Sequence, residues 1–571
     1  MSAASRLPVV LCWHMHQPHY ADPLTQVYQL PWVYLHAIKD YVDMAAHLEA
    51  QPGARAVVNF APTLLEQIDD YATQVREYLD RGTELRDPLL VLLATGECPD
   101  DIQKRAALIR ALLRANRKRM IDPFPPFRRI ADLAERMLAS PRDALYLNRQ
   151  FFVDLVVWYH IAWLGETVRR EDRRVRTLLD RSCNFTDQDR RLLLSLIGDL
   201  LAGVLPRYRV LAEAGKVELS VTPYAHSIAP LLLDLQSASE AMPGVELPDV
   251  PSYPDGESRV QWHIERGCQL FEEHFGRRPE GCWPAEGGVS TATLRMLGEA
   301  GFRWCASGEN VLRHSRHHLG LAADDTTKRW LHRPYRIDAS AAACFFRDDG
   351  LSDLIGFTYA DWHADDAVAD LINHLLRIEA ETREIADRCV SIILDGENAW
   401  EYYPNNGHYF LSALYRRLAD HPQLLLSTFS DQLATAEPHE RLAGVVAGSW
   451  VYGTFSTWIG DPAKNRGWEM LVAAKQAFDG EVANGRLVGT AREQAERQLA
   501  ICEGSDWFWW FGDYNPADSV ADFERLFRRQ LSTLYRLLQV PAPEYLDRPF
   551  TQGGGAPAGG GVMRSGKSPE P

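Results

Sequence analysis

The sequence has no Cys-x-x-Cys pair, although nine cysteines are present among its 571 residues. They are scattered from Cys12 to Cys502 and are odd in number. Such a set argues against a disulfide framework and fits a reducing compartment, so the expected location is cytoplasmic. No stretch approaches the roughly 18 apolar residues of a membrane-spanning helix. The start, MSAASRLPVVLCWHMHQ, has too short an apolar run for a secretory leader and no cleavage site. Excess positive charge is missing too. With 61 basic against 77 acidic residues, the formal net charge is −16. That balance argues against a nucleic-acid partner, whose phosphates demand a basic footprint, and against an anionic membrane surface. A neutral ligand is indifferent to it. Nothing in the sequence indicates an oligomeric state.

What is present is a long globular chain, 46% hydrophobic and 24% charged. It exceeds the roughly 250–300 residues that one core serves, so two to four structural units are expected. Short apolar runs read as strands at 8–13, 56–60, 217–221, 279–283, 303–306, 355–359, 390–394 and 424–428. Helical patterns fall between them at 62–80, 256–276, 290–300, 365–388 and 407–420. Strand then helix, repeated, implies parallel βαβ units in a barrel or a doubly wound sheet, and periodicity alone does not choose. From about 84 to 212 almost everything reads as helix, so this stretch is expected to be an insertion in a unit spanning 1–435. Its basic segment from Lys104 to Arg119 reads as a solvated face. A second helical region runs over 436–547, and the Gly/Pro-rich end, 548–571, is expected to be disordered.

Three segments carry chemistry. In LPVVLCWHMHQPHY an apolar strand runs into His14, His16 and Gln17. Residues two apart on a strand point the same way, so both imidazoles project together from one strand end. In a parallel α/β barrel, that end carries the active site. Three readings of the histidines stay open: a metal-ligand pair, donors to sugar hydroxyls and a charged intermediate, or satisfied structural side chains. In GCWPAEGGVS, strand residues lead through Trp283 to Glu286, followed by two glycines that let a ligand approach. In SIILDGENAWEYY, a buried strand ends in Asp395, with Glu397 and Trp400 beyond it. A carboxylate at such a strand end is half-desolvated, which raises its pKa and suits it to general-acid work. Paired carboxylates at separate strand ends, with Trp283 and Trp400 to stack on rings, are the toolkit of glycoside hydrolysis. For each carboxylate alone, helix capping or loop solvation is an equally good account. Glu397 either raises the Asp395 pKa by like-charge repulsion or caps the following helix, and the cap is preferred.

HMHQP, GKVEL with TPYAHSIAPLL, CWPAEGG, LDGENAWEYY and GSWVYGTFSTWIGDPAKNRGWEML occur in the order of the five conserved regions of glycoside hydrolase family 57. The chain resembles that family over roughly 7–545, and VVWYHIAWLG and GSDWFWWFGD resemble its amylase and amylopullulanase branch. The resemblance implies a distorted (β/α)7 barrel with a helical C-terminal region and a retaining activity on α-glucans. It maps the nucleophile onto Glu286 and the acid/base onto Asp395. It places His14 and His16 at the reacting sugar, and Glu218 beside them to orient a histidine or a hydroxyl. Trp450, Trp458 and Trp507 become stacking candidates at outer subsites, with core packing as the competing account. No cofactor and no metal are expected. Many relatives carry Trp-x-Pro-Glu where this chain has Trp-Pro-Ala-Glu, which leaves the backbone path there open. Hydrolase and 4-α-glucanotransferase differ only in whether water or sugar reaches the intermediate, and α-1,4 is not separated from α-1,6 preference. From other classes, a metal-dependent polysaccharide deacetylase-like barrel and a non-catalytic glycan-binding protein remain alternatives.

Overall fold

The computed structural model describes residues 6–322 and 327–555. Among them, ten strands form one mostly parallel sheet: β1 (Leu7–Met15), β2 (Ala56–Phe60), β3 (Val217–Val221), β4 (Gly281–Cys282), β5 (Trp304–Ser307), β6 (Tyr335–Ile337), β7 (Ala343–Phe346), β8 (Val390–Asp395), β9 (Leu424–Leu426) and β10 (Glu440–Leu442). Seven curl into a barrel. β1 pairs in parallel with β8 and β2, and the ladder continues through β3, β4 and β5 to β7. The seam between β7 and β8 is a single parallel bridge from Arg347 to Ser391. That near-open seam is the distortion in the expected (β/α)7 barrel. β9 pairs with the first residues of β1, while β6 and β10 extend the sheet past β7.

The barrel strands are buried on both faces, as parallel sheets require, while the outlying β6 and β10 each expose an arginine. The period of two sorts their side chains into columns. Val10 and Cys12 belong to a buried cluster with Val57, Trp304, Phe345, Ile393 and Phe429. Each inward column then turns polar at the carboxyl end: His14 follows Cys12, Asn59 follows Val57, and Asp395 follows Ile393.

Helices cover the outside. The chain between β2 and β3 runs through Pro62–Arg81, Pro88–Thr95, Arg149–Ala162 and Asp187–Glu213, among others. After β10 come Pro462–Ala483, Gly489–Cys502, Ser505–Trp510 and Ala517–Leu537. A buried ionic group fastens this region to the barrel helix Gly256–Phe275. Glu503 accepts from Arg259 Nη2 at 2.8 Å, from His263 Nε2 at 2.6 Å and from the Tyr253 hydroxyl. Burial alone would raise the Glu503 carboxyl, but Arg259 and His263 more than offset it and hold it at about 2. Removing one partner of such a buried set costs about 3–5 kcal/mol, because it strands a charge. Among the described residues, no helix is long and apolar enough to cross a membrane.

Several expectations need correction. Residues 355–359 are not a strand: Leu354–Thr358 is π-helical and Tyr359–Asp361 is 3-10 helix. A short apolar run looks the same in a strand as in a buried helical turn. Strands β6, β7 and β10 were not expected, and β10 places the start of the second helical region in the sheet. The C-terminal end is also ordered further than composition suggests. Phe550 packs against Phe511 with ring centroids 4.9 Å apart, and the Gly554 N–H donates to the Asp513 carbonyl at 2.8 Å. Disorder is therefore not what 548–555 show, and the remainder of that segment, 556–571, lies outside the described residues. A chain ending at 547 is expected to melt about 1–2 °C below one ending at 555 in calorimetry, since it loses the Phe550 contact, worth about 1–3 kcal/mol. Equal melting temperatures would show that this segment contributes nothing.

Candidate active site

The polar upper rung of the barrel opens into a cleft with a cavity of about 390 Å³. Its floor holds His14, His16, His226, Glu286, Asp395 and Asp506, and its walls include Trp163, Trp450 and Trp509. Trp163 comes from the insertion after β2, and Asp506 and Trp509 from the C-terminal helices. Two turns deliver the key side chains in unusual backbone conformations. Ala225 and His226, after β3, both have φ +58°, and Glu286, after β4, has φ +57°. Non-glycine residues with positive φ each cost about 1–3 kcal/mol and persist where the surroundings impose them. Gly287 follows at φ +58°, where a Cβ would come within 2.9 Å of the Trp283 ring.

The histidines form a stack. The His16 and His226 rings lie 3.7 Å apart at 12°, and the His14 and His226 rings 5.1 Å apart at 15°. His14 Nδ1 meets Asn59 Oδ1 at 2.7 Å, and His16 Nε2 meets Asp506 at 2.9 Å. Burial, and then the neighbouring His16, push the His14 pKa down to about 3, and burial drives His226 well below its ordinary value. Both are therefore neutral hydrogen-bonding groups. Nitrogens of His14, His16 and His226 fall within 4.8 Å of one another, close enough for metal ligands. A metal must sit in the plane of each ring that binds it. Face-to-face rings 3.7 Å apart share no such point, so the geometry is that of a hydrogen-bonded stack and not a ligand set.

The carboxyls are buried beside it. Burial is the main cause that raises Glu286 to about 8, and the charges of Asp506 and Asp395 add to it. Trp450 Nε1 donates to Glu286 Oε2 at 3.0 Å, and the Ser505 hydroxyl, 3.3 Å from Oε1, donates to the ionised carboxylate, which oppose the rise. Burial likewise raises Asp395 to about 6, against the Asn398 amide, which donates to it at 3.0 Å. Glu397 is raised well above its ordinary value by burial and by Asp395. It caps no helix: its side chain accepts from Gln17 at 3.3 Å.

The remaining expected site residues divide. Trp450 lines the cleft and touches Glu286. Trp283 is fully buried under it, against Trp450 and beside His14. Trp400 donates to the Gly396 carbonyl and packs edge-on against Trp13. Trp458 lies against Trp509, and Trp507 donates to the Ile501 carbonyl, each about 1% exposed or less. None of Trp283, Trp400, Trp458 and Trp507 lines the cleft. Glu218 is also misplaced by the sequence reading. It points into the barrel, but two rungs below Thr222, where it accepts from Trp304 Nε1 and the Ser430 hydroxyl, both at 2.6 Å. The register sets it level with Val57 and Cys12, one rung or about 7 Å below His14 and Asp395 on the cleft floor.

Sequence reasoning missed Asn59, His226, Arg347, Ser505 and Asp506. Asn59 had a usable signal, a lone amide at the end of an apolar strand. His226 and Asp506 lay in segments already singled out. Arg347 follows a strand that was not expected.

The model of glycosyl hydrolase family 57 matches residues 10–444. The chain belongs to this family. Its fold is similar to that of a family 57 branching enzyme from Thermococcus kodakaraensis, at 16% identity and a TM-score of 0.54, over 93% of this chain and 90% of that one. It is similar to an α-amylase from Thermotoga maritima at 14% identity and a TM-score of 0.54, over 95% and 96%. A 4-α-glucanotransferase from Thermococcus litoralis gives 13% identity and a TM-score of 0.51, over 95% of this chain and 61% of that one. No curated protein sequence matches the chain.

Two outcomes follow from this placement. Glu218→Gln is expected to lower the melting temperature, because an amide nitrogen then opposes hydrogen-bond donors, at about 1–3 kcal/mol. Its turnover at 25 °C is expected to stay within about twofold, since the side chain lies a rung below the cleft floor. A selective loss of turnover would return Glu218 to the site. The second concerns Glu286, which keeps its proton in the folded chain up to about pH 8 against an ordinary carboxyl value of 4.5. Between those values the folded chain binds more protons than the unfolded one, so this group makes stability fall as pH rises. Glu286→Gln is expected to gain in melting temperature over its parent from pH 4.5 to pH 8. A constant difference across that window would refute the buried, protonated carboxyl.

Proposed function

We propose that the protein is a retaining enzyme acting on α-glucans, with Glu286 as nucleophile and Asp395 as acid/base. The observation that carries this reading is the meeting of both carboxyls in one cleft, from strand ends 109 residues apart, each within electrostatic reach of the other. Ionised Glu286 attacks the anomeric carbon while Asp395 protonates the glycosidic oxygen. Asp395 then serves as base toward water or an acceptor hydroxyl, and the two displacements restore the α-anomer. Burial that lifts Asp395 to about 6 leaves it able to both hold and yield a proton near neutrality.

Polar atoms around the pair support a sugar as the ligand. His16 Nδ1 and Glu397 Oε2 are buried with no hydrogen-bond partner among the described residues. Hydroxyls of a bound glucosyl unit would satisfy both, and the Trp450 indole offers a flat face beside Glu286. A metal-dependent deacetylase is disfavoured by the stacked rings. Water and an acceptor sugar are competing second substrates, and the structural relatives named above include enzymes described by both kinds of activity.

Maltoheptaose with wild-type protein separates the outcomes. Only shorter products mean hydrolysis, longer products mean glucan transfer, and no change refutes the reading. Glu286→Gln and Asp395→Asn are each expected to lower turnover at least 10²-fold with the fold retained by circular dichroism. Proton NMR should find the first-formed sugar as the α-anomer. A β-anomer would exclude double displacement.

A further inference from the structure

Glu286 presents a difficulty of its own. A nucleophile must be ionised, yet this carboxyl is buried and raised further than Asp395. Its surroundings hold a hydrogen-bonded path for the proton. His226 Nδ1 lies 2.8 Å from the Ser505 hydroxyl, which lies 3.3 Å from Glu286 Oε1. The direct gap from His226 Nδ1 to that oxygen is 3.8 Å, too long for a hydrogen bond. On the other side, His226 Nε2 meets His14 Nε2 at 3.0 Å, and His14 Nδ1 ends on Asn59 Oδ1 at 2.7 Å. Asn59 is itself held, accepting from Thr222 at 2.8 Å and donating to Ser220 at 3.0 Å.

This chain dictates where hydrogens sit. Asn59 Oδ1 can only accept, so His14 carries its hydrogen on Nδ1 and offers a lone pair at Nε2. His226 must then donate from Nε2. A neutral His226 has its lone pair at Nδ1, where the Ser505 hydroxyl donates. The serine oxygen is left to accept from a protonated Glu286. One concerted shift reverses the last two bonds. The Glu286 hydrogen passes to Ser505 Oγ, and the hydrogen of Ser505 passes to His226 Nδ1. The products are a carboxylate that accepts from Ser505 and an imidazolium that donates from both nitrogens. One proton moves, no net charge is made, and no further reactant is needed. Asn59 blocks the far end, so the proton stops on His226.

We propose that Ser505 and His226 form a proton relay that ionises Glu286 from within the site. The relay rests on the reading of Glu286 as nucleophile. The groups facing His226 suit it. From β1 comes His14 and from just beyond its end His16, from the turn after β4 comes Glu286, and from the helix Ser505–Trp510 come Ser505 and Asp506. Burial and the neighbouring His16 and His14 lower the His226 pKa, so the neutral imidazole is the resting form and the proton visits it only in passing, while Asp506 pairs with His16 at 2.9 Å on the other side of the stack. Asp395 is the other charge close to Glu286. Ser505 and His226 are each 1% exposed, so bulk water is a poor substitute for the path.

The test is a titration of the free protein by NMR, with 13C at the Glu286 carboxyl and 15N in the His226 ring. In the wild type, both nuclei are expected to follow a shared step. In Ser505→Ala and in His226→Gln, Glu286 is expected to titrate alone, and Ser505→Thr, which keeps the hydroxyl, to restore the shared step. Kinetics should follow. The acid limb of kcat/KM moves to higher pH in Ser505→Ala, with about a tenfold loss below neutrality that alkali recovers, one pH unit corresponding to a factor of ten. The double variant should lose no more than either single one. Wild-type coupling that survives in Ser505→Ala, or a loss that is the same at every pH, would overturn the relay. So would Ser505→Thr behaving as alanine does while melting like the wild type. A shared titration without any glucan turnover would refute the proposed function and leave the relay standing, whereas turnover with independent titrations would do the reverse.

Discussion

Arg347 links the closing seam of the barrel to the buried carboxyl of Glu286. Its backbone bridges β7 to β8 at Ser391, and its guanidinium donates from Nε to the Ile393 carbonyl at 2.8 Å. The same guanidinium binds Asp349 at 2.6 Å and Asp353 at 2.9 Å, then lies 5.5 Å from the centre of the Trp450 ring. Trp450 in turn donates to Glu286. A seam made of one strand bridge has little backbone pairing to hold it. Here a buried cation with two carboxylates does that work, and the charge pairing that closes the barrel also fixes the indole beside Glu286. Arg is suited to this because its planar fork serves several acceptors at once while staying charged.

The barrel's inward columns explain how much was legible beforehand. Val10, Cys12 and His14 alternate in the sequence as they do in space, so the position of His14 at a strand end could be read from LPVVLCWHM. Asp395 after SIIL could be read the same way. Glu218 shows the limit of that logic. It occupies the correct face of β3, yet it pairs beside Val57 and Cys12, one rung below the level of His14 and Asn59. Which rung of a column meets the ligand depends on strand register, and register is set by pairing partners that a single sequence does not display. The tryptophans failed for another reason. Trp400, Trp458 and Trp507 sit in aromatic-rich segments, and burying a large ring in a core is favourable anywhere. Composition cannot say which ring is left facing the cleft.

His226, Ser505 and Asp506 were hidden because they become a site only when distant segments meet. His226 sits on a turn whose positive φ angles no residue type announces. Ser505 and Asp506 come from the C-terminal helices, 219 and 220 residues beyond Glu286. Their contribution depends on docking, which Glu503 provides two residues earlier by accepting from Arg259, His263 and Tyr253. The buried ionic group is thus not spread along the interface but placed next to the residues that need exact positioning.

Electrostatics follow from the same arrangement. Glu286, Asp395, Glu397 and Asp506 crowd one cleft of a chain that is already strongly acidic. Burial and mutual repulsion push protons onto the first three, which costs folding stability above the pH where free carboxyls ionise. Strained turns at His226 and Glu286 add to that cost. A core chosen for stability alone would contain neither. Their persistence is understandable if the site must store a proton and release it on demand, because a carboxyl that is too acidic could not give one up to a leaving group, and one without an outlet could not become a nucleophile. Asp395 has the cleft as its outlet, with a glycosidic oxygen expected beside it. Glu286 lines the same cleft, and behind it Ser505 leads to the histidine stack.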